Sequence, residues 1–158
     1  MVKIDARIQI NAPLENVWRI ISRIDNDPTY WKGTTHIKNI SKEQNVITRD
    51  VFLGKDNRCQ QRVILFPKEG VHIKWLSGPI RGVKDILLFA HGNTSILETQ
   101  MNYKIHGIIG IFSKNTTKDL QMEAELALQL IKEDSEGMQQ NPILEERRSW
   151  ADLIHDKK

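Results

Sequence analysis

Residues 2–18 read VKIDARIQINAPLENVW, and a change of period inside them frames the fold. Val2, Ile4, Ala6, Ile8 and Ile10 alternate with Lys3, Asp5, Arg7 and Gln9, which gives a strand with one apolar and one wet face. Asn11-Ala12-Pro13 stops it, because proline lacks the N–H a strand needs yet suits a first helical turn. Leu14, Val17, Trp18, Ile21 and Ile24 then follow a helical stripe, and Asp25-Asn26-Asp27-Pro28 ends that helix. A short second turn is expected at Thr29-Tyr30-Trp31.

From about residue 34 to 106 the pattern is all strand. Breaks at 41–45, 54–57, 67–70, 78–82 and 92–93 predict strands near 35–40, 46–53, 58–66, 71–77, 83–90 and 95–106, joined as a meander. After Gly107 the period becomes helical. Leu120, Ala124, Ala127, Leu128 and Ile131 share a face of a helix expected over about 110–136, flanked by Met122, Leu126 and Leu130, with Gly137 as its stop. A further amphipathic helix is expected from Pro142 to Ile154. The expected domain plan is therefore a unit over 1–137 and an extension over 138–158.

Bulk properties narrow the function classes. The chain has 158 residues, 39% hydrophobic and 27% charged, ordinary for one globular domain. No apolar run approaches the ~20 residues that span a bilayer, and no signal-peptide core opens the chain. A single cysteine, Cys59, excludes an internal disulfide framework and fits a reducing compartment, so a cytoplasmic location is expected. A net charge of +3 is too small and scattered for a nucleic-acid footprint.

Chemical motifs are sparse. The five histidines fall on different elements with no metal-ligand spacing, and phosphate-binding glycine loops are absent, so neither a metal nor another cofactor is expected. Cys59 reads as a small half-buried residue rather than a nucleophile, since alternation turns Arg58 and Arg62 to the other face.

Four stretches carry a resemblance to a known family. They are Ile8 to Trp18, Asp27-Pro28-Thr29-Tyr30-Trp31, Gly92-Asn93-Thr94-Ser95, and Leu128 to Glu133 with its continuation to Glu136. In order and spacing the chain resembles the polyketide cyclase/dehydrase and lipid-transport family of the START and pollen-allergen-like (SRPBCC) superfamily. The resemblance covers roughly residues 2–137. It implies an α+β helix-grip fold: a curved antiparallel sheet of six or seven strands around a long C-terminal helix, with two short helices after the first strand. It also implies an internal cavity for a small hydrophobic ligand, lipid-like or polycyclic. A volume above ~300 Å³ is expected of such a cavity.

Register suggests which side chains enter it. A four-residue loop at 67–70 pairs Arg62 with Trp75 and Ile64 with Ile73, and a five-residue loop at 54–58 pairs Asp50 with Arg62. The resulting face carries Asp50, Phe52, Arg62, Ile64 and Trp75 and is the more aromatic, so it is read as inward. The last hairpin sets Lys84 opposite Met101, on the face of Tyr103; a one-residue bulge would send Asp85 inward instead. Trp31 either lines the mouth or packs against the sheet. Arg62, Asp50, Lys84 and Tyr103 would orient the ligand's polar end. The competing reading is a packed core with an Asp50–Arg62 ion pair and a snorkelling Lys84. The first functional reading is a non-enzymatic carrier or sensor. The alternative is a cyclase, dehydratase or hydrolase, with Asp50 or Tyr103 as general acid/base and Arg62 stabilising developing charge. A homodimer or partner contact through residues 142–154 stays open.

The C-terminal stripe of Ile143, Leu144, Trp150 and Ile154 has to bury itself somewhere. Full burial of Trp150 is worth on the order of 2–3 kcal/mol. Truncation after Gly137 should lower the melting temperature, alter the oligomeric state or weaken ligand binding. If all three stay unchanged, the tail does not dock.

Overall fold

The computed structural model describes residues 1–54, 57–106 and 116–140, with side chains described to residue 138. Strand β1 spans Val2–Ile10, helix α1 Leu14–Ile21, a 3-10 turn Ile24–Asn26 and helix α2 Asp27–Tyr30. Strands β2 (Thr34–Glu43), β3 (Val46–Leu53), β4 (Asn57–Phe66), β5 (Gly70–Ser77), β6 (Ile80–His91) and β7 (Thr94–Ile105) precede helix α3 (Thr116–Gln140). The strands form one antiparallel sheet in the order β1-β7-β6-β5-β4-β3-β2. The α+β helix-grip plan expected from sequence is the fold observed. The docked helix proposed at 142–154 and the stretch between β7 and α3 lie outside the described residues.

The alternation of β1 works as its sequence implies: Ile4, Ala6 and Ile10 are buried beneath α3. Two backbone carbonyls of this edge strand also hold the helix. Gln121 Nε2 donates to Asp5 O at 3.0 Å and Lys132 Nζ to Gln9 O at 3.0 Å. The buried stripe of α3 is Ala124, Ala127, Leu128 and Ile131. Small alanines there let the helix lie close to the sheet.

The end of α3, its flanking side chains and the start of β6 differ from expectation. Helix α3 passes through Gly137 to Gln140. A glycine inside a helix costs only about 1 kcal/mol relative to alanine, so it need not stop one. Met122 and Leu126, expected to touch protein, are 58% and 45% exposed. Strand β6 starts at Ile80, three residues early, because Gly82 at φ +131° lets the ladder continue through Arg81 and Gly82 to Tyr103 and Lys104.

The largest correction is register. Between β4 and β5 the loop holds three residues, Pro67 to Glu69, so Phe66 pairs with Gly70 and Gln61 with Trp75. Lys68 in the left-handed region (φ +63°) closes this tighter turn. A one-residue slip moves a whole strand to the other face. The concave face is therefore Ile47, Arg49, Val51, Leu53, Cys59, Gln61, Val63, Val71, Ile73 and Trp75. Between β3 and β4, Leu53 pairs with Asn57, so Asp50 faces Gln60 rather than Arg62.

Gly82 is the tightest approach in this sheet: a Cβ there would lie 1.9 Å from the Asn102 carbonyl oxygen. Gly92, in the β6–β7 turn at φ +63°, has open space. Gly82→Ala should cost about 2–4 kcal/mol and Gly92→Ala about 1 kcal/mol in chemical denaturation. Equal costs would mean that β6 does not run through Gly82.

Candidate functional site

Beneath the N-terminal half of α3 the concave face leaves a cavity of about 260 Å³. Its sheet wall is Leu53, Trp75, Ile80, Lys84, Met101 and Tyr103. Trp31 to Thr35 border it from the α2–β2 connection, and Asp119, Leu120 and Glu123 from α3. The volume is below the ~300 Å³ expected from sequence, so the expectation of a cavity of that size is not met.

Of the eight side chains expected at the cavity, the structure brings four together there: Trp31, Trp75, Lys84 and Tyr103. The other four occupy the convex face. Arg62 is exposed and cross-strand from Thr48 and Lys74, and Asp50 and Ile64 lie half-buried on the same side. Phe52 packs its ring on His36, with centroids 5.5 Å apart. The three-residue loop accounts for this displacement, because it puts Trp75 on the face opposite to Arg62. No bulge turns Asp85 inward. It pairs with His72 across the outer face of β5–β6.

Sequence reasoning missed the inward charge, Arg49, which is 2% exposed. Its guanidinium donates from Nε to Gln61 Oε1 (3.0 Å), from Nη1 to Ile24 O (3.0 Å) and from Nη2 to Asp27 Oδ2 (2.7 Å). These bonds tie β3 and β4 to the 3-10 turn and α2. Burial pushes the Asp27 carboxyl up from its usual range, with Arg49 and then Lys84 pulling it back. The available signal was alternation itself: Ile47, Val51 and Leu53 are aliphatic, and Arg49 is the single charge in their row.

Glu123 was missed as well. It accepts the Gly33 N–H at 2.9 Å, and Tyr30 Oη donates to Asp134 Oδ2 at 2.7 Å. Two turns of α3 are thus strapped to the segment carrying Trp31, which holds that indole over the cavity.

Lys84 is 7% exposed, with Nζ 2.9 Å from the Trp31 ring centroid. Among the described residues no hydrogen bond and no carboxylate within 4 Å is seen at Nζ; the ring face is its contact. Desolvation outweighs the attraction of Asp27 and Glu123, Arg49 adds repulsion, and the amine is pushed down to about 7. The Trp31 face works for the charged form. Beside it, Trp75 packs edge-on against Tyr103 (5.8 Å, 84°). The buried Trp75 indole N–H lies beside the Tyr103 phenol, but among the described residues it makes no well-formed hydrogen bond. Burial also pushes the Tyr103 phenol up, so it stays protonated. Cys59, buried and pushed up to about 11, is no nucleophile at neutral pH.

Among the described residues no cluster of His, Cys, Asp or Glu could hold a metal ion, and no helix is long and apolar enough to cross a membrane.

No family model matches the chain, and no curated protein matches it by sequence. Solved structures do match. TTHA0849 from Thermus thermophilus superposes with a TM-score of 0.71 at 18% identity, over 85% of this chain and 97% of that one. The Zhui aromatase/cyclase from a Streptomyces species gives 0.58 at 13%, over 89% and 94%. A START superfamily protein from Mycobacterium smegmatis gives 0.59 at 12%, over 87% and 96%. At these identities the shared property is the helix-grip fold.

The Lys84 amine is a group whose folded pKa lies below its unfolded value near 10.5. Between pH ~7 and ~10.5 the unfolded chain binds the extra proton, so stability attributable to this site rises with pH. Below pH 7 the buried charge is a full burden. Lys84→Met should therefore stabilise the protein by about 1–3 kcal/mol at pH 6, with the gain fading by pH 10. A variant less stable than the parent at pH 6 would contradict the desolvated amine.

Proposed function

We propose that this helix-grip chain binds a small, mostly apolar molecule that carries one acceptor-rich or anionic group, and that it acts as a carrier or sensor. The observation that carries this reading is the pair of unmet donors at the cavity wall. The Lys84 ammonium rests on a ring face with no ion pair among the described residues, and the Trp75 N–H, beside the Tyr103 phenol, makes no well-formed hydrogen bond among them. A ligand carboxylate, phenolate or carbonyl would satisfy both while its apolar body displaces water from Leu53, Ile80 and Met101. The volume of about 260 Å³ sets the scale at a single ring or short chain, with longer lipid-like or polycyclic ligands projecting outward.

The structural neighbours include an aromatase/cyclase and a START superfamily protein, which supports a small-molecule site without choosing between binding and catalysis. Catalysis in this cavity by the residues considered from sequence has little support. Asp50 stands on the convex face and Arg62 is outside with it, so Tyr103, held in its acid form and no base, is left without the charged partners that reading needs.

Trp31 and Trp75 make the cavity visible by fluorescence. Titration with phenylacetate should quench them, and Lys84→Met should weaken that binding about tenfold or more while leaving toluene binding unchanged. Equal phenylacetate affinities in the two proteins would remove the head-group role of Lys84. Absence of binding by both probes would overturn the cavity reading.

A further inference from the structure

We infer that Lys84 is a covalent capture site: aldehydes and ketones that enter the cavity condense with its Nζ to form an imine. This rests on the proposed ligand-binding reading and names one chemical class for it. Three features support it. The amine borders an apolar cavity and is not tied up in an ion pair among the described residues. The Trp31 ring covers Nζ from one side, 2.9 Å from its centroid, and both residues line the cavity. Tyr103 is its diagonal neighbour on the same face, since Lys84 pairs with Met101 and Gly82 with Tyr103.

A lysine attacks a carbonyl only as the free amine. The groups facing Lys84 are Asp27 from α2, Glu123 from α3, Arg49 from β3 and Tyr103 from β7. The carboxylates favour the ammonium, whereas burial and Arg49 favour the amine, and the balance leaves much of it neutral near pH 7. The Nζ lone pair forms the C–N bond while the C=O π electrons move to oxygen. A proton passes from nitrogen to that oxygen, giving a carbinolamine. Protonation of the hydroxyl, with Tyr103 as the nearby acid, lets it leave as water while the nitrogen lone pair makes the C=N bond. Loss of the second nitrogen proton restores the acid. The net change is amine plus carbonyl to imine plus water, with no oxidant or reductant consumed. A dry wall favours the imine by keeping water from reversing the last step.

The test is reductive trapping of the full chain with benzaldehyde and sodium cyanoborohydride, followed by intact mass and peptide mapping. The expected result is one benzyl group on Lys84, added at least about tenfold faster at pH 7 than on surface lysines or the N-terminus. The rate should rise as pH passes through 7, reporting the amine's own titration rather than a structural role. Lys84→Arg, which keeps the charge but offers no such amine, should abolish the site-specific label. Label spread evenly over surface lysines, or absent from Lys84, overturns the inference. Phenylacetate quenching of the tryptophans separates the two levels. If phenylacetate binds in a Lys84-dependent way but benzaldehyde leaves Lys84 unlabelled, covalent capture is wrong and ligand binding stands. If phenylacetate does not bind and Lys84 is unlabelled, both readings fail.

Discussion

A guanidinium buried beneath a sheet has no water to solvate it, and the fold arranges three elements to meet that demand at Arg49. Its three hydrogen bonds reach a neighbouring strand, the 3-10 turn and the first residue of α2. Losing one partner would leave a buried charge uncompensated, which typically costs about 3–5 kcal/mol. The geometry is therefore strongly specified: α2 sits where Asp27 reaches Arg49, and Trp31 follows one turn later. The straps from Tyr30 to Asp134 and from Gly33 to Glu123 then fix that turn against α3. Cavity, indole and helix are positioned by one ionic clamp and two hydrogen bonds.

Lys84 lies on the same concave face and receives none of this compensation. Asp27 is committed to Arg49, and Glu123 to the Gly33 amide, so both act on the amine only at longer range. A packed core would have neutralised or excluded such a group. Here it remains beside an unfilled space, near a Trp75 N–H that makes no well-formed hydrogen bond among the described residues. The polarity of the cavity is thus one-sided, offering donors to whatever enters.

The strand order and the helix were legible because their signals are local. The period-2 rows of β1 and β7 and the alanine-lined stripe of α3 read directly as buried faces. The β6–β7 register was also legible, since the two-residue Gly92-Asn93 turn allows little choice of pairing. That register led to Lys84 and Tyr103. The β4–β5 turn was read with a four-residue loop where the chain uses three, and aromatic content then chose the wrong face of β3 and β4 as inward. Phe52 and Phe66 turned out to be convex-face side chains, while the aliphatic row of Ile47, Val51 and Leu53 was the core. The partner of Arg49, Asp27, was hidden in Asp25-Asn26-Asp27-Pro28, where an acidic residue before proline reads only as a helix boundary. Local pattern does not encode pairing across 22 residues of chain.

The fold presents a poorly solvated amine to the cavity beneath α3. Titration of the Lys84 side chain by carbon NMR, following its Cε resonance with and without phenylacetate, tests this most directly. The expected midpoint is near pH 7 in the free protein, moving upward when the carboxylate binds and favours the ammonium. A midpoint near the ordinary lysine value of about 10.4, unmoved by the ligand, would contradict it.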